Sequence, residues 1–201
     1  MRLIPRLTVF LSWFLLASWS ARADTFVRDD IITDPAPDRF SVCFDHGCQS
    51  LSQAALTQGQ WDTLRALFPL PERNAADERQ RIGEAIALLE TFAGMATGTA
   101  TEKGGNLQGL GEPGQMDCID ESTNTTLYLT LLQKYGLMRL HRVEDRATRG
   151  WLVFGWPHTT AVIQEIASGT LWAVDSWFLD NGKPPLILTL DQWESGWQPK
   201  P

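Results

Sequence analysis

Apolar positions along this chain change their spacing from one segment to the next, and each spacing predicts an element. Phe40-Ser41-Val42-Cys43-Phe44 alternates and is rich in β-formers, which predicts a short strand. Thr57-Gln58-Gly59-Gln60 has the form of a capping box, and Trp61, Leu64, Leu67 and Phe68 follow at helical spacing. That helix should stop near Pro69 to Pro71. From Glu72 to Thr91 the residues Ile82, Ala85, Ile86 and Leu89 recur at three- and four-residue steps, continuing to Phe92, so a second amphipathic helix is expected with Asp77-Glu78-Arg79 on a solvated face. Gly94 to Gly114 has no period and is crowded with Gly, Thr and Asn, which predicts a long loop. Asp117 to Tyr135 predicts a third helix, with acids at its positive end and Gly136 where a left-handed residue ends a helix. Leu137 to Val143, Trp151 to Phe154, His158 to Ile166, Leu171 to Phe178 and Leu186 to Leu190 then read as strands. Helices first and strands afterwards is an α+β order with an antiparallel sheet.

The first residues have the three parts of an export signal: Arg2 and Arg6, then an apolar run from Leu7 to Ala17, then an Ala21-Arg22-Ala23 cleavage site. Residues 1–23 are therefore expected to be a signal peptide and 24–201 a single mature domain, periplasmic or secreted. The apolar run is shorter than the roughly 20 residues that cross a bilayer, so no membrane insertion is expected after cleavage. No Cys follows the site to take a lipid.

The formal net charge is −7, and removing the signal takes away only basic residues. Such a surface repels phosphate backbones, and no Lys/Arg run offers a footprint, which excludes nucleic acid as a partner. A monomer is expected. The three cysteines are an odd number for an oxidising compartment. Cys43 and Cys48 lie close together and Cys118 far away, so the economical assignment is a Cys43–Cys48 disulfide and a free Cys118. A metal site at Cys43, His46 and Cys48 would need a fourth ligand and an unusual spacing; no metal or other cofactor is expected. His46 and His141 then read as loop and surface residues.

The free thiol falls in the first turn of the third helix, where unpaired N–H groups and the dipole favour thiolate, while Asp117 and Asp120 oppose it. His158 heads a strand, and a turn at Ala167 to Gly169 leads into Leu171-Trp172-Ala173-Val174-Asp175. If that turn closes a hairpin with an even loop, His158 and Asp175 share a face of the sheet. An Asp in an otherwise apolar strand needs a partner, and an imidazole N–H supplies one. The residue types then allot the roles: Cys118 the nucleophile, His158 the base and acid, and Asp175 the residue that fixes the tautomer. The Cys118 N–H and the Gln115 side chain are candidate oxyanion donors. Tryptophans crowd into Trp151 to Trp197, and Trp156 and Trp177 stand nearest the triad as candidate substrate-binding residues.

In this setting the chain resembles the transglutaminase-like branch of the papain-like cysteine enzymes. The resemblance rests on Gly114-Gln115-Met116-Asp117-Cys118-Ile119-Asp120, Pro157-His158-Thr159-Thr160-Ala161-Val162 and Gly169-Thr170-Leu171-Trp172-Ala173-Val174-Asp175, in that order. It spans Gly114 to Phe178. Gly114 stands further from Cys118 than a Gly-x-Cys motif places it, and Thr159-Thr160 stand where the family often has Ala-Trp. The resemblance implies a papain-like fold and acyl transfer at an amide of a peptide or protein substrate of the cell envelope: hydrolysis of a peptide or isopeptide bond, or transamidation. The other reading is a non-catalytic envelope module that keeps the fold as a binding surface with Cys118 buried and inert.

Overall fold

The computed structural model describes residues 28–69, 74–106, 111–150 and 157–199. The expected signal peptide, the expected strand from 151 to 154 and Trp156 lie outside them. The chain is α+β. Strand β1, Phe40–Phe44, pairs antiparallel with β2, Ser50–Ala54, and three helices follow: α1, Gln58–Ala66; α2, Ala75–Thr97; and α3, Cys118–Lys134. Strands β3 (His141–Arg149), β4 (His158–Glu165), β5 (Leu171–Asp175) and β6 (Leu186–Thr189) form an antiparallel sheet in chain order, and a short helix α4 (Leu190–Glu194) closes the domain. Among the described residues no helix is long and apolar enough to cross a membrane.

Local chemistry explains the boundaries. Both halves of the Thr57/Gln60 capping box form, so α1 starts where its sequence says. Asn74 caps α2, and Gly98, in a left-handed conformation, ends it six residues beyond Thr91. The third helix is the central one. It packs against α2, β1, β3, β4 and β5, and its polar run from Ser122 to Thr126 is buried along with its leucines. Those polar groups are satisfied inside the fold. The Asn124 amide brackets Cys43, accepting from its N–H at 2.7 Å and donating to its carbonyl at 2.9 Å, and Thr125 meets Ser176 at 2.9 Å. The main core forms where Phe40, Leu64, Ile82, Ile86, Leu89, Tyr128, Leu132 and Ile163 meet.

Two expectations are corrected here. Glu78 is not on a solvated face, and His141 is not a surface residue. The Glu78 carboxylate, fully buried, accepts from the Arg139, Leu140 and His141 backbone N–H groups at 2.9 Å and lies 2.8 Å from His141 Nδ1. Burial pushes the Glu78 carboxyl up, but His141 and the backbone donors outweigh it and hold it below its usual range. Next to it, Arg79 pairs with Glu165 at 2.7 Å and stacks over the Trp172 ring at 3.6 Å. Charges that looked like solvated helix surface instead tie α2 to the sheet.

Candidate active site

The disulfide between Cys43 and Cys48 is present, and Cys118 is the free thiol. The turn inside the disulfide does more than close a loop. Asp45, His46, Gly47 and Cys48 all have positive φ, between 57° and 67°, which turns successive N–H groups to one side as an anion-binding nest. Its ligands are the carboxylates that open α3. His46 and Cys48 donate to Asp120 at 2.8 and 2.6 Å, and Gly47 donates to Asp117 at 3.0 Å. Asp117 also caps the helix through Ile119 and Asp120. Asp45 completes the clamp, accepting from Gly114 N–H at 2.8 Å and donating its own N–H to the Gln115 carbonyl at 2.9 Å. Thus both sides of Cys118, the Gly114-Gln115 approach and the first helical turn, are held by one cystine loop. Burial, with Asp117 beside it, pushes the Asp120 carboxyl up to about 7.

Across from the thiol, β4 and β5 pair with Ala161 opposite Val174 and Gln164 opposite Leu171. This register puts even residues of β4 on the face of odd residues of β5. His158 and Asp175 share that face, and Nε2 lies 2.7 Å from Asp175 Oδ2, with both residues buried. The sulfur of Cys118 sits against the chain on either side of His158, 4.0 Å from the Pro157 carbonyl and within the influence of the Thr159 N–H. The thiol is not a ready thiolate. Burial pushes it up to about 11, the Thr159 N–H pulling against burial and the charges of Asp117 and Asp175 adding to it.

One residue of this arrangement escapes sequence reasoning. The Trp193 indole N–H, from α4, donates to Asp175 Oδ2 at 2.7 Å, and its ring lies 5.5 Å from the imidazole. Arg149 packs over Trp193 at 4.4 Å and donates to its carbonyl. The signal was there: Thr189-Leu190-Asp191-Gln192 has the S/T-x-x-Q form, and the Thr189 hydroxyl does accept from the Gln192 N–H. Trp177 and Phe178 lie 4.9 and 5.2 Å from the imidazole, so three aromatic rings surround His158.

Gln115 is buried beside the site, with its amide engaged elsewhere. Its Oε1 accepts from the Lys103 N–H and the Asn106 amide, and its Nε2 donates to the Thr101 carbonyl at 3.4 Å. Its carboxamide therefore anchors the loop that runs out from Gly98. The same loop follows the chain just past Asp175: Gly105 donates to the Trp177 carbonyl at 2.6 Å, Lys103 pairs with Asp180, and a Cβ on Gly104 would fall 2.4 Å from Leu179 backbone atoms. Behind it lie three buried carboxyl groups, Glu90, Glu102 and Glu121. Among the described residues no group of three or more His, Cys, Asp or Glu could hold a metal ion. No family model, no curated protein and no solved structure matches the chain.

Proposed function

We propose that this chain is an exported cysteine enzyme of the transglutaminase-like, papain-like kind, which transfers an acyl group from an amide to water or to an amine. The observation that carries this reading is the buried His158–Asp175 pair at 2.7 Å with the free Cys118 sulfur lodged between the backbone groups that flank His158. The cystine and the sequence pattern of an export signal support a reaction outside the cytoplasm.

In this reading each group has a task. Asp175 and its Trp193 donor hold the imidazole by Nε2, which leaves Nδ1 as the nitrogen for the thiol proton. With the thiol protonated at rest, proton transfer to His158 accompanies attack of sulfur on the amide carbon rather than preceding it. The imidazolium so formed is stabilised by the Asp175 carboxylate and the surrounding aromatic faces. The oxyanion is received at the start of α3, where the Cys118 N–H has no helical acceptor. His158 then protonates the leaving amine, and water or another amine releases the thioester. The Gln115 Nε2 has a second N–H besides the one given to the Thr101 carbonyl, and that N–H is the candidate second donor.

The test is alkylation of Cys118 by iodoacetamide at neutral pH, followed by mass mapping, with thermal unfolding measured on the same samples. Cys118→Ser should abolish labelling at that site and keep stability within about a kcal/mol, since Ser tolerates a helix start. His158→Ala and Asp175→Asn should slow labelling by at least about tenfold, a modest fraction of a general base's usual effect. Slow wild-type labelling that is indifferent to the loss of His158 would return the chain to a non-catalytic envelope module.

A further inference from the structure

We propose that Arg149 is a positioning residue for the triad, clasping Trp193 so that the indole N–H stays on Asp175. This deepens the acyl-transfer reading and rests on it. Strands β3 and β6 are opposite edges of the sheet, and α4 follows β6 directly. Arg149, the last residue of β3, nevertheless reaches Trp193 on α4: its guanidinium lies 4.4 Å over the ring, and Nη1 donates to the Trp193 carbonyl. It passes the triad on the way. Arg149 stands directly opposite His158 in the β3–β4 ladder, and residues so paired project from one face of the sheet with Cβ atoms about 5 Å apart. The clasp therefore crosses the face that carries His158 and Asp175.

What the clasp holds would not hold itself. With five residues, α4 is too short to be stable through its own hydrogen bonds, so the place of Trp193 is set by what packs on it. That place matters because the indole N–H and His158 Nε2 meet the same oxygen, Asp175 Oδ2, each at 2.7 Å. An indole that drifts takes away one of the two bonds that orient the carboxylate, and the imidazole loses its alignment with it. Arg149 acts on the indole twice. The bond to the carbonyl fixes the backbone of Trp193, and the cation over the π face draws electron density from the ring, which makes its N–H a stronger donor. Burial lowers the Arg149 pKa while the charge of Asp175 opposes that, so cation and carboxylate also feel one another directly.

The experiment reads the indole and the thiol in the same full-length mature protein. The Trp193 indole N–H resonance, assigned by its loss in Trp193→Phe, should lie downfield in wild type, as a donor to a buried carboxylate does, and Arg149→Met should move it upfield. The same variant should slow iodoacetamide labelling of Cys118 about two- to fivefold, the scale of a cation–π contact at a part-exposed site. In a Trp193→Phe background, Arg149→Met should bring no further slowing, because no N–H remains to be aimed, whereas a merely structural cost in thermal unfolding would persist there. Arg149→Lys keeps the cation without the planar fork, so it should move both readouts in the same direction by less, and it carries the comparison if Arg149→Met does not fold. Either readout unmoved by loss of Arg149 overturns the proposal. Equal slowing with and without the indole overturns it too, since Arg149 would then act on the site by its charge alone. The acyl-transfer reading fails separately, through iodoacetamide labelling that ignores His158, and the indole resonance would still report the clasp.

Discussion

Raising the pH from 5 to 8 should destabilise this fold, because it buries three glutamates around Ser176 and the Gly98 loop. Glu90, Glu102 and Glu121 are 5%, 1% and 4% exposed. Glu90 Oε2 accepts from the Gly182 N–H at 3.0 Å, while Oε1 and both Glu102 oxygens have no hydrogen-bond partner among the described residues. Burial pushes Glu90 up to about 8, and Glu102 adds to it; burial pushes Glu102 up to about 7, helped by Asp180 and opposed by Lys103; burial, then Glu90 and Glu102, raise Glu121 well above the usual range. Each folded pKa lies above that of the unfolded chain, roughly 4.3. The native state therefore keeps protons that the unfolded chain has lost, and the stability they confer is fully present below about 4.5 and is lost as pH rises through 7 to 8. One retained proton gives a slope of about 1.4 kcal/mol per pH unit, hence about 3 kcal/mol between pH 5 and 7, against a total of roughly 5–15 kcal/mol for a domain. Glu78 acts in the opposite sense, but its depressed pKa matters only as pH falls below the carboxylate range. Urea unfolding followed by tryptophan fluorescence at pH 5, 6, 7 and 8 measures the slope. Glu102→Gln should flatten it by about one proton. Stability that is level or rising from pH 5 to 8, or a slope that Glu90→Gln and Glu102→Gln both leave intact, would refute the reasoning.

Two other outcomes follow from the hydrogen bonds around the triad and the cystine. Trp193→Phe keeps a ring beside His158 but removes a donor from a buried carboxylate, so it should cost about 1–3 kcal/mol and slow iodoacetamide labelling of Cys118 severalfold; labelling at the wild-type rate would show that Asp175 needs no second donor. Replacing both Cys43 and Cys48 by Ser should lower stability by about 2–5 kcal/mol in urea unfolding and shift the rate of Cys118 alkylation, because the nest that holds Asp117 and Asp120 loses its tie; an unchanged rate would uncouple the cystine from the thiol.

How much was legible depended on whether the physics was local. The Thr57 capping box, the Gly136 stop and the alternation of Phe40 to Phe44 act within a few residues, and α1, α3 and β1 lie where those signals put them. The His158–Asp175 pair was legible because hairpin parity fixes faces whatever the sheet packs against. Strand β2 was missed because Ser50-Leu51-Ser52-Gln53-Ala54 lacks β-branched residues and is a strand only by pairing with β1. Glu78 and His141 were misplaced for a related reason: a helical charge run looks alike whether it faces water or a partner 63 residues away. The Gln115 amide, turned toward Lys103 and Asn106, depends on a loop path that no periodicity encodes.

The left-handed turn from Asp45 to Cys48 also bears on how three thiols in one chain come to be sorted. Oxidation could join either neighbour to Cys118 instead, and an entropy argument from loop length would not by itself forbid it. Such an isomer would forfeit the nest, leaving the Asp117 and Asp120 carboxylates crowded at a helix start without the three N–H groups that now receive them. The penalty falls on the segment that carries Cys118 itself. A wrong pairing thus destabilises the very helix end it captures, so thiol exchange drains the misjoined isomers toward the one that leaves Cys118 free.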